Sequence, residues 1–151
     1  MKILFIVLLL FCTTAQAEHT ELELHLTSYH FSNRSDFEEN NYGIGITHYF
    51  KDRRGISAGV FNNSYDNTSV YLGLTYTYDF CSSDSIMCSI GVIGGVVTGY
   101  EGYVSEAGEL RPIALPEFKL GYRRYFIKSR FFPETGSDTS STITFSIGRE
   151  F

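Results

Sequence analysis

Two short segments hold the residue types that acid–base chemistry needs: Tyr29-His30-Phe31 and Phe61-Asn62-Asn63-Ser64. An imidazole can take the proton of a hydroxyl, and the freed oxygen can attack a carbonyl, provided that the two groups come within hydrogen-bond reach. His30 is the candidate base and Ser64 the candidate hydroxyl. The Asn63 amide beside Ser64 is the candidate group for orienting the ring. A His and a Ser at element ends occur in many proteins without chemistry. The elements that would position them therefore carry the argument.

Those elements are strands. Side chains on a strand alternate between its faces, and the last residues place Ile143, Phe145, Ile147 and Phe151 on one side with Thr142, Thr144, Ser146 and Glu150 on the other. Eight such segments can be drawn, at 21–31, 41–50, 56–63, 69–80, 89–100, 111–122, 124–132 and 141–151. The fourth is the clearest, with Val70, Leu72, Leu74, Tyr76, Tyr78 and Phe80 opposing Tyr71, Gly73, Thr75, Thr77 and Asp79. Alternation alone does not tell inside from outside, and a soluble lipocalin-type barrel would place the apolar face inward. The export signal, the terminal Phe151 and the aromatic strand ends favour lipid on the outside. The reading is an all-β, eight-stranded antiparallel transmembrane β-barrel in the outer membrane of a Gram-negative cell, expected to be a monomer.

The export signal is Lys2, the apolar run 3–11 and the small-x-small site Ala15-Gln16-Ala17. Residues 1–17 are read as a signal peptide and 18–151 as the barrel domain, with Cys12 lost on cleavage. Beyond the signal, no apolar run is long enough for a spanning helix, so any membrane crossing must use strands. Losing Lys2 leaves 11 basic and 17 acidic residues, a net charge of −6, which argues against nucleic acid as a partner. Cys81 and Cys88 remain, in an exported chain, and are expected to form a disulfide closing a small loop. No Cys/His cluster surrounds them, and neither a metal nor a cofactor is expected.

His30 ends the first strand and Ser64 follows the third. With both termini on the periplasmic side, the two residues share the outward rim, one strand apart, about 10 Å at ~4.8 Å per strand. The inner turns are expected at 51–55, 81–88 and around Arg123, the second being long for its place. Simple parity sets His30 in register with Leu22, Leu24 and Leu26, so a bulge or a position above the bilayer is needed to bring it inward. The three prolines, Pro112, Pro116 and Pro133, cluster at one end of the sixth and seventh strands. Proline has no N–H to give a ladder, and in a closed barrel such residues mark broken pairing through which a lipid chain could enter. The plain alternative is that they flank a loop.

Taken in order, these segments resemble the lipid A palmitoyltransferase (PagP) family of outer-membrane barrels, from about Thr27 to Phe151. Tyr29-His30 falls where that family has an aromatic residue and its catalytic His, and Phe61-Asn62-Asn63-Ser64 where it has Phe-Lys-Asp-Ser. Pro112-x-x-x-Pro116 with Gly121-Tyr122, then Phe132-Pro133, resembles its proline-flanked openings. The resemblance implies an acyl chain drawn from a phospholipid into the barrel and moved to lipid A by His30 and Ser64. Gly73 and Thr75 would set the floor of the acyl site. Asn63 in the Asp position is the main departure, with Asp66 close enough in sequence to substitute. The family's helix ahead of the first strand has no counterpart in Glu18–Thr20. The competing reading is a non-enzymatic small barrel of the OmpX kind, acting through surface loops such as the acidic stretch 101–109.

Overall fold

The computed structural model describes residues 17–31, 37–50, 53–100, 110–133 and 140–151. Among them lie β1 (Ala17–His30), β2 (Asn40–Phe50), β3 (Arg54–Asn62), β4 (Thr68–Ser82), β5 (Ile86–Val97), β6 (Arg111–Tyr122), β7 (Tyr125–Phe132) and β8 (Thr142–Glu150). Each pairs antiparallel with the next, and β8 pairs back onto β1, closing a barrel. Closure leaves no free strand edge except where β6 and β7 part above Glu117–Arg130. Of the expected signal segment 1–17, residues 1–16 lie outside the described residues, as does the loop 101–109, while Ala17 opens β1.

Outside and inside are settled by exposure. Leu24, Ile44, Leu72, Leu74, Val92, Leu120, Ile127 and Ile147 face outward and are exposed, while Glu21, Glu23, Lys119, Lys128 and Arg130 face the lumen and are buried. A soluble barrel with an apolar interior would reverse this. Aromatic residues crowd both ends of the outer surface, Tyr29, Phe31 and Tyr42 at one and Tyr76, Tyr78, Phe80, Tyr122, Tyr125 and Phe151 at the other. Such a surface is costly in water and is stable against acyl tails with their headgroup interfaces.

The lumen has two storeys. Below lies a network of charges. Lys128 Nζ bonds Glu21 Oε2 at 2.8 Å and lies 3.5 Å from Glu23 Oε2; Arg130 bonds Glu23 at 2.7 Å and Glu117 at 3.0 Å; Lys119 joins Glu21 to Glu150. Above it, Tyr71, Ile93, Val97 and Leu115 form an apolar cluster, with Phe61, Tyr100, Ile113 and Phe132 packed on it. The Tyr71 hydroxyl donates to Glu23 at 3.0 Å and so joins the two storeys. Its ring lies against β3, where a Cβ at Gly59 would come within 2.5 Å of it and within 2.7 Å of the Ile44 carbonyl, so that position requires glycine.

Two local irregularities decide which side chains reach the lumen. A β-bulge between His25 and Thr27 interrupts the pairing of β1 with both β2 and β8. The extra residue changes the parity of the strand beyond it, so Ser28 and His30 point inward although Leu22 and Leu24 point outward. The second irregularity corrects an expected turn. The stretch 81–88 is not a long loop: β4 and β5 continue through it, Cys81 pairs with Cys88 in register, and a tight turn at 83–85 joins them. The two cysteines form the expected disulfide. Reducing it is expected to lower stability by about 2 kcal/mol, the chain entropy of so small a loop, while the barrel stays closed. Urea midpoints with and without reductant measure this.

Candidate functional site

At the outer rim the bulge and the turn after β3 meet. His30 Nε2 and Ser64 Oγ lie 2.8 Å apart, a hydrogen bond across one intervening strand. The ring stacks on Phe37 at 4.6 Å and 11°, which fixes its plane. His30 is the last residue of β1, level with the exposed Tyr29 and Phe31 and so above the apolar belt. Burial holds its pKa below the usual histidine value, with the Glu39 carboxylate acting in the opposite direction. With Ser64 donating to Nε2, the neutral ring carries its proton on Nδ1. That atom is buried and has no hydrogen-bond partner among the described residues.

Asn63 does not orient the imidazole. Its Oδ1 accepts from the backbone N–H of Tyr65 at 2.9 Å and of Asn67 at 3.1 Å. Its Nδ2 donates to Ser69 Oγ at 2.9 Å and to the Gly99 carbonyl at 2.6 Å. All four bonds build the turn that carries Ser64 and tie it to the end of β5, which makes Asn63 a framework residue. Asp66 is not a substitute either, since it accepts from Asn62 Nδ2 at 2.8 Å and sits at a left-handed φ of 59° in the same turn. A carboxylate at position 63 would lose the two donors and face the Gly99 carbonyl. Asn63→Asp is therefore expected to cost about 1–3 kcal/mol rather than to raise activity, readable as a lowered urea midpoint.

Behind the pair lies a cavity of about 130 Å³, lined by His30, Asn41, Phe61, Ser64, Tyr65, Val97, Tyr100, Arg111, Pro112, Ile113, Leu115, Phe132 and Pro133 among others. A smaller chamber of about 30 Å³ continues beneath it toward His25, Tyr71, Ile93 and Arg130. Together they hold roughly a dozen waters' worth of space, enough for part of one acyl chain and not for a whole lipid. The β6–β7 ladder begins at Tyr122–Tyr125 and ends at Glu117–Arg130, directly beside Pro116. Beyond it, β6 remains paired with β5 as far as Arg111, and β7 with β8 as far as Phe132. Among the described residues, Arg111–Pro116 and the end of β7 are thus unpaired with each other, with the Arg130–Glu117 ion pair at the foot of that stretch.

Of the expected contact residues, Pro112 and Pro133 line the cavity and Pro116 stands where the ladder stops. Gly73 and Thr75 line neither chamber. A Cβ on Gly73 would meet Ile93 Cγ1 at 3.0 Å, so Gly73 acts on the floor only by leaving room for Ile93. Thr75 donates to Glu117 at 3.2 Å, down in the charged storey. His19, Glu21 and Glu150 bring possible metal-ligand atoms within 4.8 Å of one another, but Lys119 ion-pairs both carboxylates and supplies the cation there. The charged network itself was overlooked in the sequence. Its signal was present: Glu117 and Lys119 alternate with Phe118 and Leu120, and Lys128 and Arg130 with Ile127 and Phe131.

No family model matches the chain, and no curated protein does. Among solved structures, the N-terminal β-barrel domain of Pseudomonas aeruginosa OprF superposes with a TM-score of 0.51 at 12% identity, over 89% of this chain and 98% of that one. The likeness is one of fold. The Yersinia pestis outer membrane protein Ail in a phospholipid bilayer nanodisc matches at a TM-score of 0.41 and 11% identity, over 90% of this chain and all of that one.

Proposed function

We propose that this protein spans the outer membrane of a Gram-negative cell and transfers an acyl chain from a phospholipid to lipid A. One observation carries the reading: a His–Ser hydrogen bond of 2.8 Å stands over a mostly apolar cavity, beside a stretch of wall where β6 and β7 are unpaired among the described residues. A phospholipid chain passing between β6 and β7 would bring its ester to the rim. There His30 Nε2 takes the Ser64 proton as Oγ bonds to the ester carbonyl carbon, and returns it to the departing lysophospholipid oxygen. A lipid A hydroxyl then attacks the acyl-serine, giving its proton to Nε2, which passes it to the departing Ser64 Oγ and so regenerates the hydroxyl and the neutral ring. The exposed aliphatic belt and aromatic ends support insertion in a bilayer.

A second reading, a non-enzymatic small barrel working through its surface loops, is favoured by one specific feature. Asn63 is spent on the turn, and nothing described holds His30 Nδ1, so the pair lacks the third group that such sites normally use. Mass spectrometry of lipids from a Gram-negative host expressing the chain separates the two. Transfer predicts lipid A heavier by one acyl group together with lysophospholipid, both absent with Ser64→Ala. Unchanged lipids with the native chain would leave the loop-acting barrel as the function.

A further inference from the structure

The acyl cavity contains a polar atom that a plain hydrocarbon chain cannot satisfy. Asn41, on β2, is 4% exposed and lines both the upper cavity and the chamber beneath it. Its Nδ2 donates to the Asn62 carbonyl at 2.9 Å. That bond fixes which way the amide faces, because turning it over would set Oδ1 against a carbonyl oxygen. Oδ1 is thus the free end, and it has no hydrogen-bond partner among the described residues. Of the residues that line both chambers with it, Phe61, Val97, Ile113, Leu115 and Phe132 have no side-chain donor, and the hydroxyl of the sixth, Thr144, makes no hydrogen bond to Oδ1.

We infer that Asn41 reads a hydroxyl on the entering chain, so that the preferred acyl group is a hydroxyacyl rather than a plain one. This rests on the reading that the cavity takes an acyl chain. The chain passes Asn41 on its way from the rim to the lower chamber, and an O–H there donates to Oδ1. Because Asn41 shares the upper cavity with His30 and Ser64, the hydroxyl belongs near the carboxyl end of the chain. A buried acceptor left without a donor is costly, and a site built around such an acceptor discriminates against a ligand that lacks the donor. A preference of about tenfold to a hundredfold follows.

The test uses the full chain in lipid nanodiscs, titrated with 3-hydroxydodecanoate and with dodecanoate at measured free concentrations. The Asn41 side-chain amide resonance serves as the local readout. Tighter binding of the hydroxy acid by tenfold or more, abolished in Asn41→Leu, is the expected result. Asn41→Leu also loses the bond to Asn62, but the comparison of the two acids on the native chain stands without any variant. Equal affinity for both acids would overturn the hydroxyl preference and leave the cavity as an acyl site. Binding of neither would overturn both.

Discussion

Lys128→Met is expected to destabilise the barrel by about 3–5 kcal/mol, because it leaves carboxylates buried without their counter-charge. Lys128 is 1% exposed, and its ammonium sits between Glu21 and Glu23, which are fully buried. The methionine fills much of the same volume, so packing is a small part of the loss. What remains is Glu21 with Lys119 and Glu23 with Arg130, Tyr71 and Ser146, each cation already shared with a further carboxylate, Glu150 or Glu117. The double variant Glu21→Gln with Lys128→Met removes both charges and is expected to be more stable than Lys128→Met alone. Urea unfolding in detergent micelles, followed by the shift of the folded band on unheated gels, measures both. Equal stability of the single and double variants would show that Lys128 contributes bulk rather than charge.

This network also explains why the lower lumen is closed. Side chains from β1, β6, β7 and β8 meet across it, so the interior is filled at the level where a pore would have to pass. The apolar upper storey therefore ends on a charged floor. On the proposed reading an acyl chain would extend down as far as Tyr71 and Ile93 and no farther, since going deeper would require displacing ion pairs that no hydrocarbon can replace.

Strand order and facing were legible wherever period two ran unbroken. In β4 the alternation predicts exposure residue by residue from Val70 to Tyr76 and fades at the inner end, where Asp79 is exposed between Tyr78 and Phe80, and the spacing of Cys81 and Cys88 in an exported chain points to their bond. Legibility fails where a single residue is added. The bulge at His25–Thr27 changes parity without any glycine or proline to announce it, so no pattern in β1 shows that His30 faces inward. Asn63 misleads for another reason. An amide beside a candidate serine and an amide building a turn look the same in one dimension, and only the partners, Ser69 and Gly99, distinguish them. Gly73 and Thr75 do face inward as parity requires, yet their depth depends on the register with β5 and on Ile93, which alternation does not encode.

His30→Ala is expected to lower acyl transfer by about 10²–10⁴-fold, the usual contribution of a positioned general base. Ser64→Ala should cost a similar factor, and the double variant little more, because two groups acting on one proton lose their effect together. His30→Gln keeps a ring-sized polar group at the rim but cannot carry the proton, so kcat should fall while KM holds. The pH profile gives an independent sign. The base works when neutral, and burial depresses its pKa. The rate should therefore stay level on acidification past ~6.5, where an exposed histidine would already be half protonated, and fall only below that. Release of labelled acyl groups from phospholipid in mixed micelles provides every one of these readouts. Full activity in His30→Ala would move the chemistry away from the rim and leave the hydrogen bond to Ser64 as a clasp between β1 and the turn after β3.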